Sequence, residues 1–430
     1  MGPVIVAALS LILVASAAHA APFGLRDAAA YALHNAPSLD ATARQKIVTE
    51  LEYKNSVSAF LPSLDLVSSH GLLRNYPQLT PYQPWVSSFG LALTETLYDN
   101  GEAITRKNIA SVQEQLADLN LGRDRDNLIL NVANSFFALS LARRNLEIQQ
   151  EQHAVLKLQV ELVRDAYRQG VKTRKDYLRF QTQLNRSDID LLAVRNAVTK
   201  ADIDLRRTIG VPLESPASFE FLLDDALPEP ERTPVIHVEA HRDYKIAELT
   251  RQTADLNTDI VRRKQWPVLG LTAAANYGSS NYLFTGIPES VYQTKSWTAL
   301  LSLSYNFFDF GTRRRNTEIA AQQAMIQSDT LEGGLLDLRQ TIDKLYIDLR
   351  QSTESYNLSQ ELLKLERANL ALITNEYRQG KVQYLDYINS LQNFASAKTT
   401  YYTSLYDLRR QQLALHYHEG NIYDAVEGRN

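Results

Sequence analysis

The 430-residue chain contains no cysteine, which excludes a disulfide framework, a thiolate metal site and a lipid anchor carried on an N-terminal cysteine. Turn-forming residues are also scarce. With only 17 glycines and 14 prolines, few long elements are expected in place of many short ones. Charge of either sign is not in excess: 45 Lys and Arg face 49 Asp and Glu, a net charge of -4, which argues against a nucleic-acid binder. Beyond the N-terminus no apolar run reaches the roughly 20 residues of a transmembrane helix.

Chemistry-bearing motifs are missing too. Gly380-Lys381 is not a phosphate loop, because Asn375 stands where the first glycine belongs and Val382 where Ser or Thr belongs. His237 and His241 flank Glu239 in an order that is not that of a zinc protease. No serine nucleophile elbow occurs. The expectation is a chain that is no enzyme, with no catalytic residue, cofactor or metal.

What is present begins with an uncharged apolar run, Val4 to Ala17, followed by Ala18-His19-Ala20 and Ala21-Pro22. This reads as a secretory signal over 1–20, although no Lys or Arg precedes Arg26 to form a basic leader. After it the sequence repeats itself at a spacing of 210 residues. Tyr167-Arg168-Gln169-Gly170 returns as Tyr377-Arg378-Gln379-Gly380, and Asp176-Tyr177 returns as Asp386-Tyr387. The same offset carries Asp99 and Gly101 onto Asp309 and Gly311. The chain therefore reads as a first repeat over 21–211, a Pro-, Glu- and Asp-rich linker or equatorial segment over 212–233, a second repeat over 234–418 and a tail over 419–430.

Each repeat changes period partway. Helical segments, Leu25 to His34 and Ser38 to about Ala59, with Ile246 to Val261 as the later counterpart, stop at Pro62 and Pro267. Alternation follows. Trp297, Ala299, Leu301, Leu303, Tyr305 and Phe307 are apolar, with mostly polar residues between them and Leu300 as the exception. Trp85, Phe89, Leu91, Leu93 and Leu97 form the matching stretch, broken by Glu95. Strand pairs are expected at about 62–98 and 267–309, with hairpin loops around Tyr76 to Pro84 and Tyr282 to Thr294.

After Gly101 and Gly311 the helical period returns. Ile109, Val112, Leu116 and Leu119, then Leu128, Val132, Phe136 and Leu139, then Leu158, Leu162 and Val163 keep steps near three and four. A helix from Gly101 to Tyr167 would be about 100 Å long. Gly170 and Gly380 sit where such helices end, so long helical hairpins are expected at about 101–210 and 311–418, with Gly333-Gly334 a weak point in the second. Arg123, Asp124, Arg125 and Asp126 interrupt the first with charge, so the helices face water.

Four amphipathic strands with aromatic residues near their ends have the signature of transmembrane β-strands. An open four-stranded sheet leaves edge N–H and C=O groups unsatisfied in lipid, so closure requires oligomerisation: eight strands in a dimer, twelve in a trimer. A soluble coiled coil with a small sheet cap is the plainer alternative. It does not account for Trp, Tyr and Phe directed to one face in both strand pairs.

These residues resemble the TolC-type outer-membrane efflux and secretion channels. The resemblance rests on Asn35-Ala36-Pro37-Ser38-Leu39, on Leu97-Tyr98-Asp99-Asn100-Gly101 and Phe307-Phe308-Asp309-Phe310-Gly311 closing the strand pairs, and on the two tips at 167–177 and 377–387. It implies an α+β membrane protein built from two internal repeats. Three copies would form a trimeric 12-stranded β-barrel in the outer membrane, four strands from each chain, continuing into a long periplasmic α-helical barrel. It also implies a passive duct that docks a periplasmic adaptor and an inner-membrane transporter, for efflux or type I secretion, with outer-membrane lipid around the barrel and no nucleic acid.

By the same resemblance Asp386 falls at the pore constriction, with Asn389 where a second acidic residue often stands. Asp176 and Tyr377 match a gating pair. The family's basic gate partner is replaced by Val382. Tyr167, Arg168, Gly170 and Val171, with Arg378, Gly380 and Lys381, would form adaptor-docking tips. A periplasmic adaptor-like helical-hairpin protein is the competing reading, against which the two equivalent hairpins and four lipid-type strands argue.

Overall fold

The computed structural model describes residues 22–72, 85–211, 220–221, 236, 238–282 and 290–427. The signal segment 1–20, residues 73–84 and 283–289 of the two loops, the linker 212–233 except 220–221, His237 and residues 428–430 lie outside the described residues.

Strand β1 (Pro22–Phe23) precedes helices α1 (Leu25–Asn35) and α2 (Pro37–Ser58), strands β2 (Ser63–Leu72) and β3 (Trp85–Tyr98), and helices α3 (Glu102–Arg168) and α4 (Arg174–Ile209). After β4 (Glu220–Phe221) and a 3-10 turn at Val238–Ala240 come α5 (Arg242–Arg263), β5 (Val268–Tyr282), β6 (Ser290–Ser304), α6 (Thr312–Arg378), α7 (Tyr384–Glu419) and α8 (Ile422–Glu427). Helices α3 and α6 are each 67 residues long and α4 and α7 each 36. The chain divides into two compact units, one of residues 38–124 and 236–343, the other of 1–37, 125–235 and 344–430.

The first of these units holds a four-stranded antiparallel sheet in the order β2-β3-β5-β6. Its register aligns Leu66, Leu91, Ala275 and Trp297 in one row, and Leu64, Leu93, Ala273 and Ala299 in the next. Because side chains alternate across a sheet, these rows share one face. That face is uncovered in the single chain: Leu66 is 64 % exposed, Leu301 66 % and Trp297 81 %. The opposite face is polar, and Ser69 and Ser88 hydrogen-bond across it at 2.6 Å. Glu95 pairs with Leu271 on the apolar side, and the ladder slips its register immediately afterwards, between Thr96 and Tyr98.

The switch from strand to helix is made by a left-handed pair. Asn100 and Gly101 have φ of 61° and 81°, and Phe310 and Gly311 have 54° and 80°. The Asp99 carboxylate accepts from the Gly101 and Ala103 amides, and Asp309 accepts from Gly311 at 3.1 Å and Arg313 at 2.9 Å. Both aspartates thus satisfy amides that the first turn leaves without partners. Asn100 is held further by its own donation to the Pro267 carbonyl at 2.8 Å and by Arg263, which donates to the Asn100 carbonyl at 2.6 Å.

Strand β6 ends at Ser304, short of the alternation that runs on to Phe307. Ser304 pairs with Val268, and the next residue on the partner side is Pro267, which has no N–H to continue the ladder. Helix α5 begins at Arg242, four residues before the Ile246 start that periodicity indicates, because the His241 ring nitrogen accepts from the Asp243 amide at 3.2 Å and caps the helix.

In the other unit the helical stripe of α3 is densely buried at Leu128, Val132, Phe136 and Leu139, whereas Leu158 and Leu162 are more than half exposed. Phe137 packs on Tyr406 of α7 with ring centroids 5.9 Å apart. Helix α6 continues unbroken through Gly333 and Gly334. Part of the segment read as a tail folds back as α8, and Ile422 and Ala425 are buried there against α7 and α1. Strands β1 and β4 form a two-residue parallel pair.

Gly210 ends α4 with a φ of 80°, and a β-carbon there would lie 2.5 Å from the Asn35 carbonyl oxygen. Gly170 has a φ of 77° but open space around it. Gly210→Ala should therefore cost about 3 kcal/mol, the left-handed penalty plus a backbone clash, against about 1 kcal/mol for Gly170→Ala. Thermal unfolding of the two variants in detergent checks this; equal losses would mean that the Asn35 contact relaxes freely.

Candidate functional site

The two hairpin turns belong to one unit and are built alike. Helix α3 closes through Gly170, whose amide donates to the Tyr167 carbonyl at 3.0 Å, and through the Val171 amide, which reaches the Ala166 carbonyl at 2.8 Å. Helix α6 closes through Gly380, with a φ of 73°, whose amide donates to Tyr377 at 3.0 Å while Lys381 donates to Glu376 at 2.9 Å. A positive φ is needed at both glycines to release the last carbonyls of the helix. Tyr167, Arg168, Gly170 and Val171, and Arg378, Gly380 and Lys381, are all exposed.

Each returning helix starts on an aspartate at its third position. Thr173 caps α4: its hydroxyl accepts from the Asp176 amide at 3.2 Å and donates to Asp176 Oδ2 at 2.8 Å. This bond from Thr173, together with nearby Lys172 and Arg179, holds the Asp176 carboxyl below its ordinary range despite some desolvation. The depressed pKa stabilises the turn above the unfolded carboxyl value near 3.8, and that contribution is lost as pH falls through the folded value. In α7 the Asp386 carboxylate accepts from the Gln383 amide at 3.2 Å. Asp386 and Asn389 are three apart on α7 and both exposed, so they share one helix face.

Behind each turn a tyrosine pair clasps the two helices together. Tyr167 stacks on Tyr177 with centroids 6.0 Å apart and an interplanar angle of 7°; Tyr377 stacks on Tyr387 at 5.0 Å and 11°. The second clasp is the tighter one. Tyr387 and Ile388 form a buried cluster with Leu156 of α3, and Leu184, Ile373 and Tyr384 pack against it. Burial raises the pKa of the Tyr377, Tyr384 and Tyr387 hydroxyls, so all three stay protonated across physiological pH. A hydrogen bond between His153 and Asp188 at 2.7 Å and an ion pair of Lys398 with Glu151 at 2.6 Å brace the same helices.

Asp176 and Tyr377 come together as lining of one cleft of about 1380 Å³ between α4 and α7. They make no hydrogen bond to each other in the single chain, since the Asp176 carboxylate is engaged by Thr173. Thr173, Tyr384 and Tyr387 are the residues of this site that sequence reasoning did not single out. The recurrence of Asp176-Tyr177 as Asp386-Tyr387 carries the signal for Tyr387 alone; at the same offset Thr173 is replaced by Gln383, and Tyr384 stands where the first repeat has Arg174. Among the described residues no three His, Asp or Glu side chains gather as a metal site would require.

The architecture and the turns together define an outer-membrane channel component. The model of the outer membrane efflux protein family matches residues 29–211 and again 238–420, and the chain belongs to that family and is an outer-membrane protein. Members of this family are channels, not enzymes. The chain is 21% identical to the outer membrane protein TolC of Salmonella enteritidis over 397 residues, covering 90% of this chain and 79% of that one. It is 21% identical to TolC of Escherichia coli over 391 residues, covering 88% and 78%. Its fold is shared with the CmeC outer membrane channel of Campylobacter jejuni, at a TM-score of 0.82 and 14% identity over 92% of this chain and 86% of that one.

The two clasps differ in depth, and truncation should reveal it. Tyr387→Ala should cost about 3 kcal/mol of local stability and raise amide hydrogen exchange across 370–390, while Tyr177→Ala, on a half-buried ring, should cost about 1 kcal/mol. Equal exchange in both variants would show that stacking at the second turn adds nothing.

Proposed function

We propose that three copies of this chain close their sheets into one twelve-stranded barrel in the outer membrane, and that their helical hairpins close into a tube extending into the periplasm. The assembly is a passive export duct for efflux or type I secretion, driven by an inner-membrane transporter that docks through a periplasmic adaptor. The carrying observation is the open sheet β2-β3-β5-β6, with an uncovered apolar face and, among the described residues, no strand paired to its outer edges. In lipid such edges must be joined to other strands. Equal helix lengths in the two halves support a duplicated origin, with 21–211 and 234–418 as the halves and 212–233 as an equatorial segment.

In this duct the turns form the periplasmic end. Asp386 contributes one carboxylate per chain to a constriction, with Asn389 one turn further, so symmetry-related carboxylates repel and favour cations. Asp176 and Tyr377, which both line the cleft between α4 and α7, serve as the gate pair of the assembled duct. Tyr167, Arg168, Gly170 and Val171, with Arg378, Gly380 and Lys381, present the adaptor-docking surface.

Negative-stain imaging of the detergent-extracted protein should show a threefold hollow particle, and soluble monomers would sink the barrel reading. In planar bilayers, Tyr377→Phe combined with Asp176→Ala should raise single-channel conductance above that of the unaltered protein. Unchanged conductance in trimers of normal size would remove the pair from the gate.

A further inference from the structure

The cleft between α4 and α7 has two chemically different walls. On α4, Lys175, Arg179 and Arg186 lie four and seven residues apart, which places them in one stripe about 16 Å long. Lys172 and Arg174 stand at its start. All five are exposed and, among the described residues, none forms an ion pair; by contrast Arg164 and Arg168, just before the turn, both pair with Asp165. Among the described residues the sole acidic one lining the cleft is Asp176, whose carboxylate is bonded to Thr173. Facing this stripe, Val382, Tyr384 and Leu385 make an apolar wall, and Leu385 is 61 % exposed.

Lys172 and Arg179 are near enough to Asp176 to favour its charge, but one carboxylate does not offset five cations beside one cleft, which repel one another. A point anion would need a cup of converging donors. A stripe three helical turns long beside an exposed apolar wall instead matches a helix with carboxylates along one side and aliphatic residues along the other.

We propose that this cleft binds an acidic amphipathic helix of a periplasmic protein partner, its carboxylates on Lys175, Arg179 and Arg186 and its apolar side on Leu385 and Val382. This deepens the docking role proposed for the turns by giving the partner a charge and a shape, and rests on that role only for the partner's location. The dipole of α4 adds to the attraction, because its positive N-terminal end lies at the same mouth.

The test uses the full chain in detergent and a fluorescent amphipathic peptide of glutamate, leucine and alanine, followed by anisotropy. Binding should weaken about tenfold or more between low salt and roughly 0.5 M salt. It should be lost with Lys175→Glu, Arg179→Glu and Arg186→Glu combined, and reduced with Leu385→Ser. The Gln triple variant, which removes charge without reversing it, should also lose binding while keeping the oligomer size of the unaltered protein. Equal binding of the peptide with lysine in place of glutamate overturns the proposal, as does undiminished binding to the triple variants. Displacement by inorganic phosphate at matched ionic strength reassigns the cleft to small anions and also overturns it. Loss of the oligomer in the Gln variant would assign the stripe to a second copy of this chain instead. Conductance read on the same preparations separates the two readings: a channel that binds no acidic peptide retains the duct and refutes the cleft, and peptide binding without a channel does the reverse.

Discussion

A backbone N–H or C=O exposed to hydrocarbon has nothing to hydrogen-bond, and each one left so costs several kcal/mol. That constraint governs the four strands of this chain. Within the sheet, ten to fifteen residues per strand satisfy one another across three ladders, but β2 and β6 each present one unpaired side among the described residues. A side chain cannot repair that deficit. Only another strand can, and an apolar face bearing Leu64, Leu66, Trp297 and Leu301 gives that strand no reason to stay in water. The closed multimeric barrel of the proposed duct follows from backbone bonding, and the greasy face follows from where the barrel sits.

The helices face the opposite problem, since they must begin where the sheet ends without leaving amides bare. The Asp-x-Gly step solves it twice, at Asp99 to Gly101 and Asp309 to Gly311, by combining a carboxylate that accepts two amides with a left-handed turn that redirects the chain. The same economy appears at the hairpin turns, where a left-handed glycine ends one helix and an aspartate three residues past the cap opens the next. Four reversals thus depend on a small set of residues. That explains why the identical short strings recur 210 residues apart while the helices between them have diverged.

Much of this is legible in the sequence itself. Alternation located the strands, and the tip glycines located the ends of α3 and α6, because both signals are local. What was not legible depended on partners distant in sequence. β6 stops at Ser304 although its own alternation runs on, because Pro267 on the neighbouring strand cannot donate. Helix α8 lies in what reads as a tail, since six residues carry too little periodicity to reveal that Ile422 and Ala425 are covered by α7 and α1. His241 caps α5 although histidine is no usual cap, and only the fold shows its ring accepting from Asp243. At the candidate site Asp386 and Asp176 were visible as residues, but their engagement with Gln383 and Thr173 amides required the turn geometry.

The basic stripe on α4 illustrates a different kind of concealment. A net charge of -4 describes the chain as balanced, yet charge acts over about a Debye length, roughly 8 Å in physiological salt, so the average over 430 residues says nothing about one wall of one cleft. Lys175, Arg179 and Arg186 are ordinary solvent-facing cations when read singly along α4. They become a surface only because the clasp of Tyr377 on Tyr387, packed on Leu156, fixes α7 opposite them with Leu385 turned outward. The tyrosines therefore do more than close a turn. Their burial sets the separation of the charged and apolar walls, and with it the shape of what the cleft accepts. A looser clasp would leave the same cations in place and the same leucine exposed, but at no fixed distance, and a partner would have to supply the ordering itself.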